Sequence, residues 1–201
     1  MTNNKEIIRA YFDEETQKKY ISGYAVVFEQ LSKRILENGK LFYEKILRNS
    51  LENTDLSNVI MCLNHDKNQM LARTKSETLE LNIDDYGLFY RFEVPNTNLG
   101  NDIYEQVSRG DYKENSFAYM LDEKNRNDVE YIKDKEYGLI RIVKNIRKIT
   151  DCSIVRDGAY NQTYIFLERN LKDIESDLND NNDYQIKNNK RKELEIIKLK
   201  N

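Results

Sequence analysis

The stretch from Asn58 to Asp66, NVIMCLNHD, constrains the fold more than any other part of this sequence. Val59 to Leu63 is an unbroken apolar run, too short for a helix that must bury itself, with polar residues at both ends. Such a run predicts a central strand covered on both faces, because a strand with one wet face alternates polar and apolar residues instead. The run ends in Asn64, His65 and Asp66, so the only histidine in the chain falls at the rim of a sheet.

Around that strand the sequence reads mostly as further strands. ISGYAVVFEQLS, with its β-branched and aromatic residues, predicts an early strand and turn. In TKSETLELNIDDYGLFYRFEVP, Leu79, Leu81 and Ile83 alternate before an acidic turn at Asp84 to Gly87, and Leu88, Tyr90 and Phe92 alternate after it. This pattern predicts a β-hairpin. GLIRIVKNIRKITDCSIVRDG is dense in Ile and Val and predicts one or two more strands, set off by the charged insertion DEKNRNDVEYIKDKEYG.

Two stretches read as helix. LFYEKILRNSLENT sets Leu41, Phe42, Ile46 and Leu51 near helical spacing, with Asn53 and Thr54 breaking the pattern. NLGNDIYEQVSRG predicts a helix of about ten residues, with Asn101 or Asp102 as N-cap and Gly110 beyond its end, leading to a strand that begins near Ser116. From about Leu171 the chain becomes poor in aromatics and dense in Asn, Asp and Lys, the composition of a mobile tail. The expected organisation is a polar segment over 1–19, one domain over 20–168 and a charged tail over 169–201. The expected class is α+β or mainly β, with a closed or barrel-like sheet core flanked by a few helices.

Charge narrows the range of functions. Lys and Arg number 32 against 35 Asp and Glu, a net charge of -3, so no basic field is available to neutralise phosphates and direct nucleic-acid binding is not expected. No apolar stretch is long enough to span a bilayer, and the start MTNNKEIIRAYF has no signal-peptide core, so the expected site of action is the cytoplasm. Cys62 and Cys152 lie within apolar runs, as reduced core thiols do. One histidine and two cysteines do not make a dedicated zinc site, and no cofactor is expected.

Histidine is the side chain best suited to moving a proton near neutral pH, and here His65 is the only choice for that task. A histidine at a strand end can equally serve as a hydrogen-bonding terminus, and composition does not decide between the two. Ser116 offers a hydroxyl that needs such a base to become nucleophilic. A third group must orient the imidazole. Asp66 adjoins His65 and projects to the other face if the strand continues, and Glu114 lies close to Ser116 in sequence. Asp151 sits within an otherwise apolar strand, where a carboxylate needs a partner: either the imidazole or an arginine such as Arg147 or Arg156.

Five stretches, in order across most of residues 20 to 165, resemble the prohead proteases of tailed phages, whose fold is related to that of the herpesvirus assembly proteases, or assemblins. They are GYAVVF, NVIMCLNHD, LARTKSETLELNIDDYGLFYRFEVP, YEQVSRGDYKENSFAYML and IRKITDCSIVRDGAYNQT. In the family the last stretch carries an acidic residue, a small apolar residue, Ser, an aliphatic residue and Val. The resemblance implies an assemblin-like fold with Ser116 as nucleophile, His65 as general base and Asp151 in the third position, where the family commonly has Glu. A second departure is Asp157-Gly158, where a proline usually precedes the alanine.

The resemblance also implies a serine endopeptidase that cuts scaffold protein, or the scaffolding segment of the major capsid protein, inside assembling proheads in the host bacterium, and then itself. Self-association is a further implication, since assemblin-like enzymes often dimerise. Two rival readings stand beside this one: a non-catalytic capsid-assembly or scaffold protein retaining the fold, and a cysteine hydrolase pairing His65 with Cys152.

Overall fold

A computed structural model of the protein describes residues 11–14, 17–37, 39–159 and 165–166. The chain divides into two units, Met1–Glu168 and Arg169–Asn201; the expected tail lies outside the described residues, as does the start of the expected N-terminal segment. The strands are β1 (Tyr11–Asp13), β2 (Lys18–Val27), β3 (Ile35–Glu37), β4 (Lys40–Ile46), β5 (Ile60–Leu63), β6 (Asp66–Arg73), β7 (Leu79–Ile83) and β8 (Gly87–Glu93). Helix α1 (Asn98–Ser108) follows, then β9 (Glu114–Met120), β10 (Val129–Asp134), β11 (Gly138–Val143), β12 (Lys148–Val155) and β13 (Ile165–Phe166).

The strands form three sheets. The first runs β1-β2-β8-β7 with β13 also on β2, the second β10-β11-β4-β3, and the third β6-β5-β12-β9. All three contribute to one core. It gathers Ile21, Tyr90 and Phe92 from the first sheet, Ile46 and Val143 from the second, Met61, Cys152 and Ile154 from the third, and Ile103 and Val107 from α1.

The expected closed or barrel-like core is not what forms: the sheets are open, and among the described residues β6 and β9 end the third sheet without pairing to each other. Closure requires strand number, tilt and register stagger to agree around a ring, and residue alternation carries none of these. The helix content is also lower than expected. Among the described residues there is one α-helix, with short 3-10 helices at Arg48–Leu51 and Thr74–Ser76.

The helix expected over LFYEKILRNSLENT is instead strand β4 followed by the first of those 3-10 helices. Phe42, Glu44 and Ile46 face inward with period two, and the buried Glu44 hides that alternation in the sequence. Its carboxylate is neutralised by Arg141 of β11, whose Nε lies 2.6 Å away, while Tyr119 of β9 donates its hydroxyl at 2.6 Å. A strand with a buried charge forms here because its counter-charge arrives from nearly a hundred residues further along the chain.

The hairpin expected around Asp84 to Gly87 is β7 and β8, paired antiparallel from Leu79 opposite Phe92 to Ile83 opposite Leu88. Helix α1 begins earlier than expected. Its N-cap is Thr97, whose Oγ1 accepts from the Gly100 amide at 3.1 Å, rather than Asn101 or Asp102. Gly100 fits this first turn for lack of a side chain, since a Cβ there would stand 2.1 Å from the Pro95 carbonyl oxygen. The charged insertion, to which no element was assigned from sequence, contains β10, which pairs with β11 as a hairpin.

Candidate active site

β5 and β6 meet in a two-residue turn. Leu63 pairs directly with Asp66, and the two residues between them, Asn64 and His65, have φ of 49° and 59°. Positive φ at both central residues matches the twist of a hairpin, and Asn and His enter this region more readily than most residues. The Asn64 amide donates to the Ile154 carbonyl at 3.0 Å, which pins the turn to β12.

β12 runs parallel to β5 and antiparallel to β9. Ser153 stands beside Cys62 in one ladder and opposite Ser116 in the other, while Asp151 stands opposite Ala118. Residues paired across a ladder share a face, so Cys62, Asp151, Ser153 and Ser116 project from one side of the sheet. Cys152, Ile154 and Phe117 project from the other side into the core. Four of the residues bearing on the site are thus brought to one face by strand alternation together with the register of the two ladders.

His65 Nδ1 lies 2.6 Å from Asp151 Oδ1. The imidazole is 39% exposed and the carboxylate 3%, so one end of the pair reaches solvent and the other is sealed in the sheet. Burial pushes the Asp151 carboxyl upward, but the His65 hydrogen bond and charge, the Ser153 hydroxyl and nearby Lys67 outweigh it and hold the group below the usual carboxylate range. A carboxylate only accepts, so in the neutral ring Nδ1 carries the proton and Nε2 keeps its lone pair. Such an arrangement can orient an imidazole from behind and leave its other nitrogen free to take a proton.

The structure therefore brings His65 and Asp151 into contact and sets Ser116 one strand away on the same face. Ser116 is half-buried, in the third position of β9, and among the described residues its hydroxyl makes no hydrogen bond to His65. Ser116 pairs directly with Ser153, whose Oγ lies 3.2 Å from His65 Nδ1, so one cross-strand pair links the candidate nucleophile to the imidazole.

The arginine partners considered for Asp151 do not meet it: Arg147 pairs with Asp128 at 2.8 Å, and Arg156 lies exposed just beyond β12. Cys152 is fully buried on the core face, and burial pushes its thiol far above the ordinary range, the opposite of what a nucleophilic thiolate requires. Cys62 is the thiol on the site face; burial pushes it up as well.

Beyond Ser116 the loop after β12 is tied down by Glu114, whose Oε2 accepts from the Gly158 amide at 2.6 Å and pairs with Lys33 at 2.9 Å. A Cβ on Gly158 would stand 2.5 Å from the Asn115 carbonyl oxygen. Close approach of the two backbones therefore explains the glycine at this position. Sequence reasoning passed over Ser153 as well, although its spacing of two from Asp151 on a strand marked it as sharing that residue's face.

Among curated proteins no individual match to this sequence was found. A family-wide sequence profile described as caudovirus prohead serine protease does match, over residues 6–177. The match covers all three sheets and the His65–Asp151 pair, and with it the chain belongs to the caudovirus prohead serine protease family, proteases of phage prohead maturation.

Proposed function

We propose that this protein is a serine endopeptidase in which Ser116 is the nucleophile, His65 the general base and Asp151 the group that orients it. The observation carrying this reading is the 2.6 Å contact between Asp151 and the chain's single histidine, on the sheet face that also bears Ser116. In the reaction Ser116 Oγ attacks the peptide carbonyl carbon as Nε2 of His65 takes the hydroxyl proton. The C–N bond then breaks, the amine leaves with that proton, and the acyl group stays on Ser116. Water, deprotonated by Nε2, attacks the ester and releases the acid and the free serine.

Family membership supports the substrate class: a scaffold protein, or the scaffolding segment of the major capsid protein, cut inside assembling proheads in the host cytoplasm, with self-cleavage afterwards. On the same ground we propose that the fold is related to that of the assemblins, with 20–168 as the protease domain. The test is intact mass over time for wild type, Ser116→Ala and His65→Ala, each alone and with the assembled capsid and scaffold proteins. Discrete truncation by wild type that both substitutions abolish is expected. Equal cleavage by all three would overturn the assignment, and no cleavage by any, with assembly unimpaired, would favour a scaffold role.

A further inference from the structure

Ser153 is a second serine at the site, fully buried, and the proposed reaction leaves it without a task. Its Oγ lies 3.1 Å from Asp151 Oδ1, 3.1 Å from the His65 backbone nitrogen, 3.1 Å from Cys62 Sγ and 3.2 Å from His65 Nδ1. Hydrogen-bond inventory fixes the direction of these contacts. The carboxylate can only accept, so Ser153 gives it its one proton; the amide can only donate, so it fills one lone pair. The Cys62 thiol, whose proton burial retains, fills the other.

With its proton on Asp151 and both lone pairs used, Ser153 Oγ has nothing left with which to accept from or donate to Nδ1. The Nδ1 proton is thereby directed to Asp151. The same hydroxyl ties the main chain of the turn, at His65 N–H, to the carboxylate that meets the ring. One atom thus fixes both ends of the base.

We infer that Ser153 is a positioning residue: through its single hydroxyl it locks the His65 turn and the Asp151 carboxylate in register, holding the imidazole in the tautomer whose Nε2 keeps its lone pair. This rests on the reading of His65 as general base, but its consequence for the ring can be read without any cleavage. Because the chain has one histidine, the ring nitrogens of a ¹⁵N-labelled full-length sample report on this site alone.

The test compares wild type, Ser153→Ala and Ser153→Thr by ¹⁵N tautomer spectra, by amide exchange at His65 and by cleavage kinetics. Wild type is expected to hold a single Nδ1–H tautomer. Ser153→Ala should mix the tautomers and speed His65 amide exchange at least tenfold. It should also lower kcat by about 10- to 100-fold with KM little changed, the loss expected of a misplaced base. Ser153→Thr, which keeps the hydroxyl, should recover most of each. If Ser153→Ala does not fold, Ser153→Cys takes its place, with a longer and weaker donor.

A folded Ala or Cys variant that keeps the single tautomer and slow exchange overturns the proposal, as does a folded Thr variant that loses them. Loss of the tautomer in a protein whose cleavage survives Ser116→Ala would uphold the positioning role and overturn the proposed nucleophile instead.

Discussion

Asp151 Oδ1 stands 2.6 Å from Nδ1 of His65, with the carboxylate sealed in the third sheet and the ring at its edge. The two residues stand 86 positions apart in the chain, one in the β5–β6 turn and the other on β12, and the buried member is the charged one. A buried carboxylate that meets an imidazole this closely fixes the ring's tautomer as well as its direction.

Asp151→Asn keeps the shape of the side chain but offers the ring an amide that can donate, so Nδ1 need no longer carry the proton. We expect kcat to fall by about 10²- to 10⁴-fold while the thermal transition moves little, the pattern seen when an orienting carboxylate is neutralised. Steady-state cleavage of capsid or scaffold substrate checks this. Unchanged kcat would remove Asp151 from the site.

The same carboxyl group makes stability depend on pH. Its folded-state value is depressed, so its contribution is fully present above the ordinary carboxylate value near 4 and is lost as pH falls through the lower folded value. Urea denaturation should show wild type losing stability on acidification below about pH 4, with a shallower loss in Asp151→Asn. Parallel curves for the two would refute the linkage.

Glu44 and Arg141 are both buried and hold each other at 2.6 Å, joining β4 to β11, with Tyr119 of β9 on the same carboxylate. Arg141→Met leaves that carboxylate buried without its cation. Removing one partner of such a pair costs about 3–5 kcal/mol, so a urea midpoint well below wild type is expected. The double change Glu44→Leu with Arg141→Met should recover most of the loss.

Cys152 faces the core with its thiol pushed up by burial. Cys152→Ala is expected to cost about 1 kcal/mol of stability and to leave kcat within a few-fold, and thiol alkylation of the native protein should be slow. Rapid alkylation of Cys152 coupled to loss of cleavage would favour a cysteine mechanism.

Gly158→Ala forces a Cβ to within 2.5 Å of the Asn115 carbonyl, next to Ser116. Overpacking of this kind costs about 1–3 kcal/mol. Here it should also lower cleavage, because the backbone of β9 beside Ser116 must move away from the loop after β12; thermal melts and kinetics on the same sample measure both effects.

Several elements were legible from residue pattern alone. The run Val59 to Leu63 marked β5, the alternation on either side of Asp84 to Gly87 marked the β7–β8 hairpin, and the apolar density of KITDCSIV marked β12, because burial on one face or both leaves a local period in the chain. The chain's single histidine made His65 the candidate base from sequence alone. The misreading of β4 as helix shows the limit of such patterns, since a buried Glu44 looks polar until Arg141 is brought beside it.

What tertiary structure alone decided was pairing. That β12 lies between β5 and β9, so that Asp151 meets His65, Ser153 stands opposite Ser116 and the arginines go elsewhere, follows from long-range strand register. So does the openness of the sheets. Local periodicity says which face of a strand is buried; which strand lies beside it is set by the packing of the whole core, and no short stretch of sequence contains that information.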